Sequence, residues 1–191
     1  MPETPEEFHT RVAGALRMPP VETWDPFPFE GEMRPRTLEP PTSAEEPRRG
    51  EGGVECPECQ RPDSEFVWTN ERWRLLPYPR PAGLPVVVLL EPREHFEEPG
   101  DLPDDLAADL GVMLARVERA VRSVGEIGRV HVLRYGDGSA HLHWWFMARP
   151  ARTPQLASSF AAIWDDVLPP TPEDIWHGNL DAVVGALEAG A

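Results

Sequence analysis

Two pairs of residues in this chain have the types and spacing to do chemistry. His141 and His143 lie two residues apart in the apolar run His141-Leu142-His143-Trp144-Trp145-Phe146-Met147-Ala148. Side chains alternate along a strand, so both imidazoles project to one side. Two same-face imidazoles with no charged neighbour are poor core material, but they could serve a metal or a phosphorus centre. A neutral His143 is a competent nucleophile toward phosphorus, giving a phospho-imidazole. It then needs a partner for its other ring nitrogen and donors for the phosphate oxygens. Ser139, the N–H groups around Gly138 and Arg149 are the candidate donors, with turn former and surface cation as their alternative roles. The plain alternative for the whole run is a half-buried strand carrying two incidental histidines.

The second pair is Cys56-Pro57-Glu58-Cys59. A Cys-x-x-Cys knuckle suits tetrahedral zinc, which needs two further N or S ligands. His95 at the end of an apolar strand and His141 are the candidates, giving Cys56, Cys59, His95 and His141. A redox pair is less well supported, because the strand-into-helix setting that lowers a thiol pKa is missing. Two inert thiols are the third possibility. His9 and His177 fall in terminal helical patterns and are expected to be solvated, and His131 lies in a strand and is expected to pack.

The elements that must position these residues follow from periodicity. Thr4-Pro5-Glu6-Glu7 looks like a capping box opening a helix whose stripe is Phe8, Val12 and Leu16. Residues 18–53 have no period. Trp24, Phe27 and Phe29 are expected to tie this segment over the core, with Pro40 to Gly53 flexible. Glu65–Trp68 and Trp73–Leu76 read as two short strands around Asn70. Leu84–Glu91 is near-continuously apolar and therefore central. A long helix from Pro103 carries Leu106, Leu110, Met113, Leu114, Val117 and Val121 on one face. Val130–Arg134 and His141–Ala148 are the last strands. Ala157–Val167 is a helix with Ile163 and Trp164 facing inward, and a final helix runs from Pro172 to Leu187 with Ile175, Leu180, Val183, Val184 and Leu187 as its stripe. This order is α+β with a largely antiparallel sheet of about five strands.

Residues 54–150 resemble the histidine-triad (HIT-like) superfamily of nucleotide hydrolases and transferases. The resemblance rests on the Cys-x-x-Cys near the start, the strand ending Glu91-Pro92-Arg93-Glu94-His95, the helix after it, and His141-Leu142-His143-Trp144-Trp145-Phe146-Met147-Ala148-Arg149 as closing strand. It implies a HIT-like fold and a nucleophile at His143, the middle histidine of the motif, attacking an α-phosphate. The zinc-bearing branch, and the similar galactose-1-phosphate uridylyltransferases, imply structural zinc on Cys56, Cys59, His95 and His141. Arg134 would stand where relatives line the phosphate site with a polar residue. The third histidine of the motif is replaced by Trp145, whose indole donates a hydrogen bond but cannot shuttle a proton. The uridylyltransferases also lack that histidine, so nucleotidyl chemistry does not require it. Relatives are commonly dimers, which makes a homodimer an expectation here.

Length and composition bound the function. The chain has 191 residues, enough for one domain, here residues 54–150, with extensions over 1–53 and 151–191. All 18 basic residues are Arg, as in a high-GC bacterial coding sequence, and the net charge of −15 argues against a nucleic-acid partner. The N-terminus is acidic and the longest apolar run too short to span a bilayer, so a cytoplasmic protein is expected. Two cysteines make no disulfide framework. Three functions fit: a nucleotide hydrolase or nucleotidyl transferase working through His143, a non-catalytic ligand- or partner-binding relative whose pocket Trp145 has altered, and an interaction module using residues 18–53.

Overall fold

The computed structural model describes Thr10, residues 20–24, Phe27, Phe29, residues 31–33 and residues 40–190. The expected helix opening at Thr4, with its stripe Phe8, Val12 and Leu16, lies outside the described residues.

Five strands form one antiparallel sheet: β1 (Trp68–Thr69), β2 (Trp73–Pro77), β3 (Val87–Pro92), β4 (Ile127–Leu133) and β5 (Trp144–Pro150), in spatial order β1-β2-β3-β5-β4. The α-helices whose bounds fall among the described residues are the one-turn α1 (Pro57–Gln60), α2 (Asp104–Arg122), α3 (Ala161–Val167) and α4 (Glu173–Glu188). β3 is central, as its unbroken apolar character requires, because a strand covered on both faces has no polar side. Its register with β5 sets Leu90 opposite Trp144, Leu89 opposite Trp145 and Val88 opposite Phe146.

Alternation sorts the strand residues onto two faces. On one face Trp73, Leu75, Val88, Leu90, Trp144 and Phe146 meet Met113 and Val117 of α2 and Leu180, Val183 and Leu187 of α4 in the main core. On the other, Leu84, Val87 and Met147 gather with Tyr78, Trp145 and Trp164 in a smaller cluster. α2 begins after Pro103 with Asp104 and Asp105 and ends with Arg119 and Arg122, charges that complement its dipole. Its expected stripe holds, with Leu106, Met113, Val117 and Val121 buried and Leu110 and Leu114 packed against them.

The differences are local. Val67 and Phe66 precede β1 rather than belonging to it, and β3 starts at Val87 rather than Leu84. β5 starts at Trp144, so His141–His143 form an extended approach to the strand. Their backbone is held elsewhere: Ala140 N–H donates to Arg49 O at 3.0 Å and Leu142 N–H to Phe96 O at 2.7 Å. Only Ala161–Val167 of the expected 157–167 helix is α-helical, and Ile163 is exposed, while Trp164 faces the smaller cluster. Ile175, at the solvent end of α4, is exposed too. Trp24 and Phe27 meet Phe160 at ring distances of 5.9 and 5.4 Å and Phe29 meets Phe27, but Trp24 and Phe29 are exposed and none of these rings belongs to the core clusters, so the contacts fall short of the expected tie over the core. The expectation of a flexible Pro40–Gly53 fails at its C-terminal end. Arg49 forms a parallel bridge with Ser139, and Arg48 pairs with Glu97 at 2.6 Å and Glu98 at 2.9 Å.

Candidate functional site

The ends of three separated elements converge on one cluster. α1 offers Cys56, its N-cap, and Cys59; the turn after β3 offers His95; the approach to β5 offers His141. Their ligand atoms all lie within 4.8 Å of one another. Cys56 Sγ is 3.7 Å and Cys59 Sγ 3.5 Å from His141 Nδ1, and Cys59 Sγ is 3.5 Å from His95 Nδ1. Zinc bonds of about 2.3 Å to sulfur and about 2.0 Å to nitrogen set tetrahedral S···N edges of about 3.6 Å, so the cluster fits that ion.

The outer groups fit as well. His141 Nε2 lies 2.9 Å from Pro92 O, which assigns the proton to Nε2 and leaves Nδ1 as a lone pair facing the thiols. His95 Nε2 faces Glu97 Oε1 at 3.5 Å, and Glu97 is held in turn by Arg48. Burial lowers the His141 pKa, favouring the neutral ring that a ligand must be. Burial and the neighbouring Cys56 push the Cys59 thiol up to about 11, so a bound ion would have to displace protons. The strap before α1 is seated on this cluster. Gly50 has φ +80°, and a Cβ there would lie 3.0 Å from Cys56 Cα. Gly53 lies against the His95 ring.

His143 stands beside the cluster. Its Nδ1 is 2.8 Å from the His141 carbonyl, so Nδ1 carries the proton and donates, and Nε2 is the free lone pair. His143 is half-buried and lines a cavity of about 500 Å³ with Ser139, Gly138, Trp145, Glu58, Glu91 and Arg49. That is a size for a small organic ligand. Trp145, two residues along and on the same face, leaves this cavity open. Its ring turns toward Tyr78 at 6.0 Å and meets His143 edge-on at 6.2 Å, and its Nε1 is buried without a partner.

Of the expected donors, Ser139 and Gly138 reach the cavity and two arginines do not. Arg149 shares the His143 face but lies six residues along, about 20 Å at strand rise. Its guanidinium donates to Thr153 O at 3.1 Å. Arg134 is drawn off to Glu98 at 2.7 Å and to Glu97 O at 2.9 Å. His131 is half-buried on β4, where burial and then Arg149 lower its pKa, and His177 is exposed.

Four charged residues of the cavity, Arg49, Glu58, Arg61 and Glu91, were not singled out from the sequence, nor was Arg74 behind them. Arg49 Nη2 meets Glu58 Oε1 at 2.5 Å, and Arg74 Nη2 meets Glu91 Oε1 at 2.7 Å. Arg61 completes the wall. Burial works to raise the Glu58 carboxyl, but backbone hydrogen bonding, Arg49, Cys56 and Ser139 outweigh it and hold the group below its ordinary value. At Glu91 burial prevails over Arg74 and pushes the carboxyl up to about 7. A signal for one pair existed. Arg74 and Glu91 are lone charges within apolar strand runs, and they face each other in the β2–β3 register.

No known family's sequence pattern matches the chain, and no curated protein matches it. Solved structures do. A histidine triad protein from Marinobacter aquaeolei is 18% identical, over 66% of this chain and 90% of that one, with a TM-score of 0.53. A hypothetical histidine triad nucleotide-binding protein from Sulfolobus tokodaii is 18% identical, over 70% and 93%, with a TM-score of 0.52. A histidine triad protein from Bradyrhizobium japonicum is 19% identical, over 62% and 86%, with a TM-score of 0.51. What the chain shares with them is the fold: an α+β domain of histidine-triad type, as its sequence resemblance implied. Among the described residues, no helix is long and apolar enough to cross a membrane.

Proposed function

We propose that the chain binds a nucleotide or a related small phosphorylated molecule in the cavity beside His143 and transfers or hydrolyses its nucleotidyl group. His143 Nε2 attacks the α-phosphorus, the bond to the leaving group breaks, and water or an acceptor then takes the nucleotidyl group from the imidazole. The observation that carries this reading is the 2.8 Å contact between His143 Nδ1 and the His141 carbonyl, which fixes the tautomer and leaves Nε2 as nucleophile. The N–H groups around Gly138 are neutral donors at the cavity wall for the phosphate oxygens, and Ser139, whose hydroxyl donates to Glu58, joins them only by releasing that carboxylate. Cys56, Cys59, His95 and His141 would hold zinc. With four protein ligands the ion has no open position, and it supplies rigidity rather than a reacting group.

Intact mass after brief mixing with a diadenosine polyphosphate, an adenosine phosphoramidate, ADP and a UDP-sugar tests the reading. A nucleotidyl adduct is expected on the wild type and not on His143→Ala. An adduct of equal yield on His143→Ala would refute the assignment.

One observation favours a second reading, a binding protein without turnover. Trp145 occupies the third motif position, its Nε1 has no partner and an indole cannot protonate a leaving group. That reading expects saturable nucleotide binding with neither adduct nor product from any member of the panel.

A further inference from the structure

We propose, on the nucleotide reading above, that Glu91 is the acid of the His143 cavity. Its carboxyl gives a proton to the leaving group as His143 attacks, the task that the indole of Trp145 cannot perform.

The sheet puts Glu91 beside the nucleophile. In the β3–β5 register Leu89 lies opposite Trp145 and Leu90 opposite Trp144. One further step along both chains brings Glu91 level with His143. Alternation turns Glu91 to the side of Leu89 and His143 to the side of Trp145, and all four residues line the same cavity. Residues level on neighbouring strands hold their Cβ atoms about 5 Å apart, so a phosphoryl group at His143 Nε2 comes within reach of this carboxyl. Glu91 Oε1 accepts from Arg74 at 2.7 Å, and Oε2 meets no donor among the described residues.

The surroundings hold the proton without locking it in. Glu91 is buried, and burial outweighs Arg74 on β2 and Arg61 after α1, so the carboxyl keeps its proton up to about 7. Glu58 of α1 adds a negative charge that acts in the same direction. The approach to β5 brings His143 and, at the neighbouring Pro92 carbonyl, His141. An acid with a pKa near the working pH is both protonated and able to release its proton.

The step balances within the cavity. The bond from His143 Nε2 to the α-phosphorus forms, the bond to the leaving oxygen breaks, and that oxygen takes the proton from Glu91. Glu91 is left as a carboxylate near Arg74 and the imidazolium that attack creates, a setting that favours the anion. Water or an acceptor hydroxyl then attacks the phosphorus, its proton returns to Glu91, and His143 departs as the neutral ring.

Single-turnover adduct formation on the full chain tests this role, with the phenyl and 4-nitrophenyl esters of AMP and UMP as probes, on wild type and Glu91→Gln. The two esters differ in how much the leaving oxygen needs a proton. Glutamine keeps the size of the side chain and can still accept from Arg74, and a melting curve verifies the fold. With the phenyl esters Glu91→Gln should be about a hundredfold slower, the low end for a positioned acid, and with the 4-nitrophenyl esters only about a few-fold slower. The wild-type rate with the phenyl esters should fall as pH rises through about 7, a fall that Glu91→Gln lacks. This profile decides alone if the variant unfolds. Equal losses on the two esters, no loss on either, or a wild-type phenyl-ester rate that stays flat across that pH overturns the role of Glu91 and leaves the nucleotide reading standing. No adduct on the wild type from any of the four esters overturns both.

Discussion

Replacing Arg74 by Met should expose how the buried charges of the cavity are balanced. Arg74 and Glu91 are paired at 2.7 Å with side-chain exposures of only 4% and 2%. The guanidinium also donates to Glu58 O at 3.0 Å and lies 4.4 Å above the Phe66 ring. In Arg74→Met the Phe66 contact is largely kept, but Glu91 loses its counter-charge. Removing one partner of a buried pair costs about 3–5 kcal/mol, because the other charge stays buried alone.

The cost should depend on pH, and its sign follows from Glu91. The folded chain holds this proton up to about 7, against 4.5 for the ordinary carboxyl. Between those values the folded state binds a proton that the unfolded state has released. The stabilisation is therefore full below 4.5 and lost as pH rises through 7, about 3 kcal/mol in all. Without Arg74 the carboxyl titrates higher still. The loss in Arg74→Met should be about 4 kcal/mol at pH 8 and shrink to about 1–2 kcal/mol at pH 5, where Glu91 is a neutral acid. Glu91→Gln should flatten the wild-type slope over the same range. Urea unfolding at four pH values, extrapolated linearly, measures both effects. An Arg74→Met loss that is constant with pH, or an unchanged slope in Glu91→Gln, would refute the reasoning.

Other outcomes follow from the metal cluster, the strap and Trp145. The purified chain should carry one zinc, and chelation or Cys56→Ser should lower Tm by about 5 °C or more; metal analysis with a melting curve decides. Gly50→Ala puts a Cβ at φ +80° and 3.0 Å from Cys56 Cα, so it should cost about 1–3 kcal/mol and weaken zinc retention. Gly52→Ala, at φ +68° with its nearest contact at 4.0 Å, should cost about 1 kcal/mol and leave zinc untouched, which denaturation with metal analysis would verify. Trp145→His forfeits the Tyr78 contact, at a cost of roughly 1–3 kcal/mol. It also gives the cavity a group that can carry a proton, so decay of the His143 adduct should speed up in a mass time course.

The parts legible in the sequence were those written in short-range pattern. The apolar run through Val86–Leu90 could only be a strand covered on both faces, and the α2 stripe could only face a sheet. The Cys56, Cys59, His95 and His141 set was legible because its ligand types are scarce, with two cysteines in the chain. Side-chain reach was not legible. Arg149 has the right strand parity and the wrong distance, and Arg134 is claimed by Glu98, an ion pair that no periodicity encodes. Arg49 lay in a stretch without period. Its place depends on backbone hydrogen bonds to residues about ninety positions away in sequence, which local patterns cannot carry.

One residue joins what the sequence left as separate features. His141 presents Nδ1 to both thiols and Nε2 to the Pro92 carbonyl, and its own carbonyl holds His143 Nδ1. Its backbone N–H also donates to Ser139 Oγ at 3.3 Å. The tautomer of His143 is thus fixed by a peptide group whose side chain is a ligand of the cluster. A ring held on both nitrogens cannot turn, so its carbonyl cannot drift from His143 without breaking one of those contacts. Loosening the cluster should therefore reach the nucleophile through a single residue, and Cys59→Ser should slow adduct formation although Cys59 is absent from the cavity wall. A Cys59→Ser chain that loses zinc, stays folded and forms adduct at the wild-type rate would show that the cluster supports the fold alone.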